Sequence, residues 1–218
     1  QDLKIPYALL TNGGGMTEFK RSQFLNSTLN YKGKSLVKEN QLIQSHTPLK
    51  ALSKKYKRIL LIGGPDPEAR EVGRSYGFES VVRSIDLVRA SPNVWPFHRF
   101  TDFELNQYAL DPKKSKVGVG LSTESQPIDA VVVINDPRDM GTELQVLLDI
   151  INSKDGHFGT ARSVFSSEPT IPIIWSNNDF LWSTGFPLPR FGQGAFRIAV
   201  REIYKQMNNG LELMNGVN

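Results

Sequence analysis

The stretch IPYALLTNGGG, residues 5–15, decides how the rest of the chain is interpreted. Its apolar half, residues 5–11, is typical of a β-strand covered on both faces. Thr11 and Asn12 follow at the carboxyl end of this strand, where parallel sheets bind their ligands. Three glycines then allow backbone amides to approach an anion, ahead of a predicted helix over residues 17–29. A tight strand-to-helix turn with an Asx cap explains the same residues equally well.

Three further apolar runs repeat the strand pattern, at residues 58–63, 129–135 and 170–177. Helical patterns are predicted over residues 47–56, 67–76, 138–151 and 194–207. This alternation of strand and helix predicts an α/β fold with a largely parallel sheet. Residues 91–128 break the rhythm with four prolines and a basic run, and they are predicted to be a long insertion containing a short helix at 101–110.

Composition excludes several classes of site. The 218 residues include 26 Lys and Arg against 22 Asp and Glu, a formal charge of +4. The basic clusters at 54–58 and 113–116 lack interleaved aromatic residues, so no nucleic-acid partner is predicted. The chain has no cysteine, which excludes disulfides and thiolate chemistry within these residues. No apolar run approaches the roughly 20 residues of a membrane helix, so no membrane span is predicted.

Polar residues also follow the later strands. Asp136 and Arg138 lie in the segment NDPRD, residues 135–139, where capping of the next helix is the simpler interpretation. Asp136 and Asp139 have no third acidic residue nearby, so no metal site is predicted. The histidines are far apart in sequence, and His46 is interpreted as a turn residue. Gly63 and Gly64 do not fit a dinucleotide-binding pattern and predict a tight turn.

An ordered series of motifs carries a family resemblance. IPYALLTNGGG, QSHTPLKAL, YGFESVV, INDPRD, PIIWSNNDFLW and PLPRFGQGAFRIAVREIYK extend from residue 5 to about residue 205. Together they resemble the haloacid dehalogenase (HAD) superfamily, subclass IIA, and within it the cat-eye-syndrome critical region and fungal mitochondrial HAD-like phosphatases. The resemblance implies a partial Rossmann-like core with a parallel sheet and an inserted α/β cap. Residues 1–45 would form the N-terminal core part, 46–169 the cap, and 170–218 the returning, truncated core part.

The resemblance also implies roles for particular residues. Thr11 would be the catalytic residue that holds the transferred phosphoryl group, supported by Asn12 and the amides of Gly13 and Gly14. The loop with Asp136 and Arg138 would face the substrate, and Asn177 and Asp179 would line the rim of the cleft. Arg190 precedes the Gly-Gln-Gly start of the last predicted helix and could supply positive charge to a bound anion there, although most turns rich in proline and glycine do not bind one. The substrate would be a small phosphorylated metabolite. A complete family member would use Mg²⁺, and the location would be mitochondrial.

One part of the family pattern is missing. HAD phosphatases attack with an aspartate that is followed two residues later by a second aspartate, and this sequence contains no Asp-x-Asp. No metal ligands are therefore predicted here, and the chain alone is expected to be inactive. The sequence leaves open whether these residues belong to a longer phosphatase, which we favour, or form a non-catalytic interaction or structural subunit. Open sheet edges predict either a homodimer or another partner that covers them.

Overall fold

The computed structural model describes residues 5–30, 32–118, 120–121 and 125–214. The strands in this part of the chain are β1 Leu9–Thr11, β2 Leu42–Gln44, β3 Arg58–Ile62, β4 Ser80–Val82, β5 Ala130–Val133, β6 Ile173–Trp175, β7 Leu181–Trp182 and β8 Arg190–Phe191. The α-helices are α1 Glu18–Leu29, α2 Glu68–Ser75, α3 Ser84–Ala90, α4 Asp102–Gln107, α5 Pro112–Ser115, α6 Met140–Ile151 and α7 Gln193–Met207. A 3₁₀ helix over Thr47–Lys54 precedes β3.

The strands form three sheets. β1 and β2 form a small parallel sheet in which Thr11 is opposite Gln44. β3, β4, β5 and β6 form a parallel sheet in the order β4-β3-β5-β6. β7 and β8 form an antiparallel hairpin. The predicted α/β class with parallel sheets is therefore confirmed.

The four-stranded sheet is covered on both faces, as its continuous apolar strands predicted. Every residue of β3 and β5 is buried. One face packs on α6 and α7 around Leu147 and Phe196, and the other packs on α2 around Val72. Burying a side chain of this size contributes about 1.5–3 kcal/mol, so these two layers supply most of the stability.

Side-chain caps set the starts of several helices, among them α1, α4 and α6. The Thr17 hydroxyl accepts a hydrogen bond from the Lys20 amide at the start of α1, and Thr101 caps α4 in a capping box. Asp139 caps α6 by accepting from the Thr142 amide at 3.2 Å. Capping was the simpler interpretation of this carboxylate, and the structure confirms it for Asp139.

The described residues of the predicted insertion, 91–118, 120–121 and 125–128, include segments that pack on α3. Asp86 is fully buried and binds both guanidinium nitrogens of Arg70 at 2.8 Å. The same carboxylate accepts from the Leu110 amide at 2.8 Å, and Arg89 donates to the Ala109 carbonyl at 2.9 Å. The bonds to Leu110 and Ala109 attach the insertion to α3.

The sheet order bears on the predicted domains. Residues of β6 were placed in the returning core part, yet Val131 of β5 pairs with Ile173 of β6, and α7 packs on α6. The predicted boundary at residue 170 therefore does not coincide with a break in the sheet. β1 and β2 both lie within residues 1–45, and the division into core and cap stays a prediction. No helix in the described ranges is long and apolar enough to cross a membrane.

Candidate active site

The threonine loop, residues 11–15, leaves the carboxyl end of β1. The amide of Gly13 donates to Thr11 Oγ1 at 3.0 Å, and Thr11 remains partly exposed. A hydroxyl that accepts one hydrogen bond keeps its own proton available for donation. This contact therefore leaves the proton of the Thr11 hydroxyl available for donation.

A buried chain of hydrogen bonds supports the loop from below. Tyr76 donates its hydroxyl proton to Glu18 Oε1 at 2.5 Å, and its oxygen lies 2.6 Å from His46 Nδ1. Because the tyrosine proton is used on Glu18, His46 must donate through Nδ1. His46 Nε2 is then an acceptor, and the Gly15 amide donates to it at 3.3 Å.

The environment keeps the His46 ring neutral, as this series of hydrogen bonds requires. Burial lowers the pKa of His46 to about 4, against the opposing attraction of Glu18. Burial alone raises the pKa of Glu18, but hydrogen bonds from Thr47 and Tyr76 outweigh it and the net direction is downward. Sequence reasoning interpreted His46 as a turn residue and overlooked this role, because its partners lie 30 residues away in sequence.

Close backbone approach fixes the threonine loop against β3 and β5. A Cβ on Gly14 would lie 2.6 Å from the His46 ring. Gly15 has a φ of +90°, and a Cβ there would lie 2.7 Å from Asn135 Nδ2. Gly63 follows β3 with a φ of +83°, and a Cβ there would meet the Asn135 carbonyl at 1.9 Å. Only glycine fits these positions, so the loops after β1, β3 and β5 meet at one edge.

The loop after β6 joins the same edge. Asn12 Nδ2 donates to Asp179 Oδ2 at 2.8 Å, across 167 residues of sequence. The Asp179 amide donates to Asn177 Oδ1 at 3.1 Å, and the Asn177 amide donates to Gln193 Oε1 at 3.2 Å. The structure thus brings together three residues that the sequence placed in one site.

The remaining predicted residues lie at different distances from this edge. Asp136 is half-buried, and burial raises its pKa while Arg138 lowers it and Asp179 raises it. Arg138 is exposed beside it. Arg190 lies in β8, where its guanidinium carbon is 4.4 Å from the centre of the Phe186 ring. Its contacts are with the hairpin, so the structure does not bring Arg190 onto the threonine loop.

A cation that sequence reasoning missed lies beside the loop. Arg21 is on the first turn and a half of α1, and its Nη2 is 3.3 Å from the position of a Cβ on Gly13. A guanidinium binds phosphate through several donors in one plane. The signal was available in the sequence, because Arg21 is four residues after the cap Thr17 and a helix places such residues on one side.

The described residues contain no group of three or more His, Cys, Asp or Glu side chains arranged to hold a metal ion.

Comparison with known proteins finds relatives by sequence, and two of them align with almost the whole of this chain. The chain is 43% identical over 205 residues to a mitochondrial hydrolase of Saccharomyces cerevisiae, covering 94% of this chain and 54% of the relative. It is 38% identical over 216 residues to a cardiolipin synthase (CMP-forming)/mitochondrial hydrolase fusion protein of Schizosaccharomyces pombe, covering 99% of this chain and 33% of the relative. The chain thus spans about half the length of the first relative and a third of the second. No family model matches the chain.

A solved structure shares the fold. The protein described as "possible sugar phosphatase, HAD superfamily" from Cytophaga hutchinsonii superposes with a TM-score of 0.53 at 11% identity, covering 90% of this chain and 51% of that protein. At this identity the likeness concerns the fold alone.

Proposed function

We infer that this chain, which shares the fold of the haloacid dehalogenase superfamily and is homologous to mitochondrial hydrolases, is the phosphate-holding and cap-bearing part of a phosphatase. The resemblance that the sequence motifs indicated is confirmed for fold and homology. The substrate that we propose is a small phosphorylated metabolite. We also propose a mitochondrial location, which agrees with the names of both relatives.

The threonine loop is the observation that carries this proposal. The Gly13 amide donates its hydrogen bond to Thr11 Oγ1, and the Gly15 amide donates to His46 Nε2. The Thr11 hydroxyl proton and the Gly14 amide remain to bind phosphoryl oxygens, and Arg21 supplies positive charge. Donors held in place before the substrate arrives stabilise the charge that develops during phosphoryl transfer.

The residues named here bind and orient the phosphoryl group, and bond breaking needs more. In the family that the chain resembles, an aspartate attacks phosphorus and Mg²⁺ offsets the phosphate charge. Asp-x-Asp is absent from these 218 residues, and the described residues contain no group of three or more His, Cys, Asp or Glu side chains that could hold a metal ion. We therefore assign no metal-dependent step to these residues. The activity that we propose is that of a longer polypeptide that contains this chain, as in the relatives.

The test uses the full-length protein with an aryl phosphate and Mg²⁺. Thr11→Ala removes the hydroxyl that orients the phosphoryl group and should lower kcat/KM at least about tenfold, the effect of losing ~1.4 kcal/mol of transition-state binding. Thr11→Ser keeps the hydroxyl and should retain most of the activity. Equal turnover by the alanine variant and the unchanged protein would remove Thr11 from the site.

A second candidate function rests on apolar exposure at the small sheet. Leu10 is 74% exposed and Ile43, its partner in register, is 41% exposed. Side chains of this kind in a strand pair indicate a surface that another layer covers. This supports a non-catalytic role in which the chain binds a partner or a second copy. Full-length protein that shows no hydrolysis and stays associated during sedimentation would favour this candidate over the phosphatase.

A further inference from the structure

The hairpin of β7 and β8 carries an exposed apolar surface. Every residue from 178 to 191 is exposed. The large apolar side chains of this stretch, which we call the hairpin patch, are 43–63% exposed and are Phe180, Leu181, Trp182, Phe186, Leu188 and Phe191. Single exposed apolar side chains are normal, but a contiguous group marks a surface that binds a partner or a membrane.

The hairpin holds these side chains outward in a defined shape. The Gly192 amide donates to the Phe180 carbonyl at 2.8 Å, and Trp182 Nε1 donates to the Phe191 carbonyl at 3.1 Å. A Cβ on Gly192 would lie 2.4 Å from the Asp179 carbonyl oxygen, so the base of the hairpin packs tightly against the start of α7. The apolar side chains are therefore ordered before anything binds them, which lowers the entropic penalty of binding.

Positive charge adjoins the hairpin patch. Residues 180–201 contain no Asp or Glu and three arginines, Arg190, Arg197 and Arg201. Asp179, at the base of the hairpin, is bound by Asn12 at 2.8 Å. Arg201 is exposed and forms no salt bridge within the described part of the chain. This face of the protein is therefore cationic as well as apolar.

A cleft joins the hairpin patch to the arginines of α7. It has a volume of about 410 Å³ and lies between Phe180 of the hairpin and Arg197, Ile198 and Arg201 of α7. Burial, and secondarily the charge of Arg201, lower the pKa of Arg197. The two guanidinium groups therefore repel each other, and an anion bound in this cleft would offset that repulsion. Ile198 is 59% exposed and extends the apolar surface onto α7.

The charge of this face favours a lipid surface over a second copy of the chain. A two-fold dimer would place the patch opposite itself, so the three arginines of one copy would face the same three arginines of the other. Like charges that face each other across an interface oppose association. A bilayer with anionic headgroups accepts Trp, Phe and Leu side chains at its interface while arginines bind the phosphates.

We propose that the hairpin patch, with Arg197 and Arg201, docks this protein peripherally on a membrane that contains anionic phospholipid. The apolar side chains enter the boundary between headgroups and acyl chains, and the two arginines bind lipid phosphates. The hydrogen bonds that hold the threonine loop use none of these side chains, so the inference goes beyond the proposed phosphatase and does not depend on it.

The test is sedimentation of the full-length protein with phosphatidylglycerol vesicles and, separately, with phosphatidylcholine vesicles. Binding to phosphatidylglycerol should be at least about tenfold tighter and should weaken as salt is raised, because each arginine near the surface contributes electrostatic attraction. Equal binding to both vesicles would overturn the proposal, because the arginines would then contribute nothing.

Exposed positions allow substitution with little risk to folding. The double substitution Phe186→Ser with Leu188→Ser should weaken binding to phosphatidylglycerol vesicles at least about tenfold, because it removes two apolar side chains from the interface. Arg201→Ala should weaken it about fivefold. Phe97→Ser, at a 78% exposed phenylalanine of the insertion, and Lys113→Ala, at an exposed lysine of α5, are the matched controls and should bind as the unchanged protein does.

Trp182 reports the contact directly, because it lies in the hairpin and is 43% exposed. Phosphatidylglycerol vesicles should shift its fluorescence to shorter wavelength, and Trp182→Phe should remove that shift. Protection of Trp182 from acrylamide in the absence of vesicles, together with no vesicle binding, would mean that another segment of the polypeptide covers the patch.

Three other outcomes would also decide the question. A dimer that Phe186→Ser with Leu188→Ser dissociates, in a protein that binds no vesicles, would assign the patch to a second copy and overturn the proposal. Binding to polyglutamate as tight as to phosphatidylglycerol vesicles would assign it to an acidic polypeptide instead. Thr11→Ala should bind vesicles as the unchanged protein does, so a failure of vesicle binding and a failure of hydrolysis are distinguishable.

Discussion

Replacing Glu143 by glutamine should change the pH dependence of stability in a defined direction. Burial raises the pKa of Glu143 from its ordinary value of 4.5 to about 7, although Arg83 acts in the opposite direction. The folded protein therefore binds a proton on Glu143 in a pH range where the unfolded chain does not. Stability from this group is fully present below pH 4.5 and is lost as the pH rises through about 7.

The interval between the two pKa values sets the magnitude. A difference of about 2.5 in pKa corresponds to about 3 kcal/mol at 1.36 kcal/mol per unit. Glu143 is 3% exposed, so solvent screens little of this. Glutamine keeps the shape and never ionises. The variant should therefore gain stability over the unchanged protein progressively between pH 4.5 and 7, and keep a constant advantage of about 3 kcal/mol above pH 7.

His46 has the opposite effect in nearly the same range. Its pKa falls from 6.5 to about 4 on burial, so its contribution is present above pH 6.5 and is lost as the pH falls through about 4. In the unchanged protein the two groups offset each other between pH 4.5 and 6.5. In Glu143→Gln only the effect of His46 should remain, so the free energy of unfolding of this variant should rise with pH between 4.5 and 6.5.

Urea unfolding followed by tryptophan fluorescence, at half-unit steps from pH 4.5 to 8 and constant ionic strength, measures these free energies of unfolding. Glu202→Gln, at an exposed glutamate on α7, is the control for the loss of one carboxylate. A pH-independent difference for Glu143→Gln would refute the reasoning, because Glu143 would then titrate alike in the folded and unfolded chains.

Two further substitutions test the support of the threonine loop by the same unfolding measurement. Gly14→Ala should destabilise by about 1–3 kcal/mol, because its Cβ would lie 2.6 Å from the buried histidine ring, whereas Gly185→Ala, with nothing within 4 Å, should change stability by less than ~0.5 kcal/mol. Tyr76→Phe removes the hydroxyl that joins the Glu18 carboxylate to the His46 ring and should lower the free energy of unfolding by about 1–3 kcal/mol. Tyr56→Phe, on the same face of the sheet, should have little effect. Losses no larger than those of the two controls would mean that the hydrogen-bond chain does not hold the loop.

The strands of the four-stranded sheet were predictable where they are apolar throughout. The runs at 58–63 and 129–135 became β3 and β5 within a few residues. β2 and β4 were missed, because three-residue strands contain too few positions to show a period. Local sequence pattern also could not predict which strand pairs with β6, because Ile173 pairs with a residue about forty positions earlier.

The residues of the candidate site also separate into those that local sequence pattern predicted and those that depend on tertiary packing. The proximity of Thr11, Asn12 and Asp179 was predictable because each lies at or just after the end of an apolar strand, and strand ends meet at one edge of a parallel sheet. That of His46 and Tyr76 was not, because their contact depends on how residues 30 apart pack. The burial of Glu143 could have been predicted from the sequence. Glu143 precedes Leu147 by four positions, so the helical period alone places it on the buried face of α6.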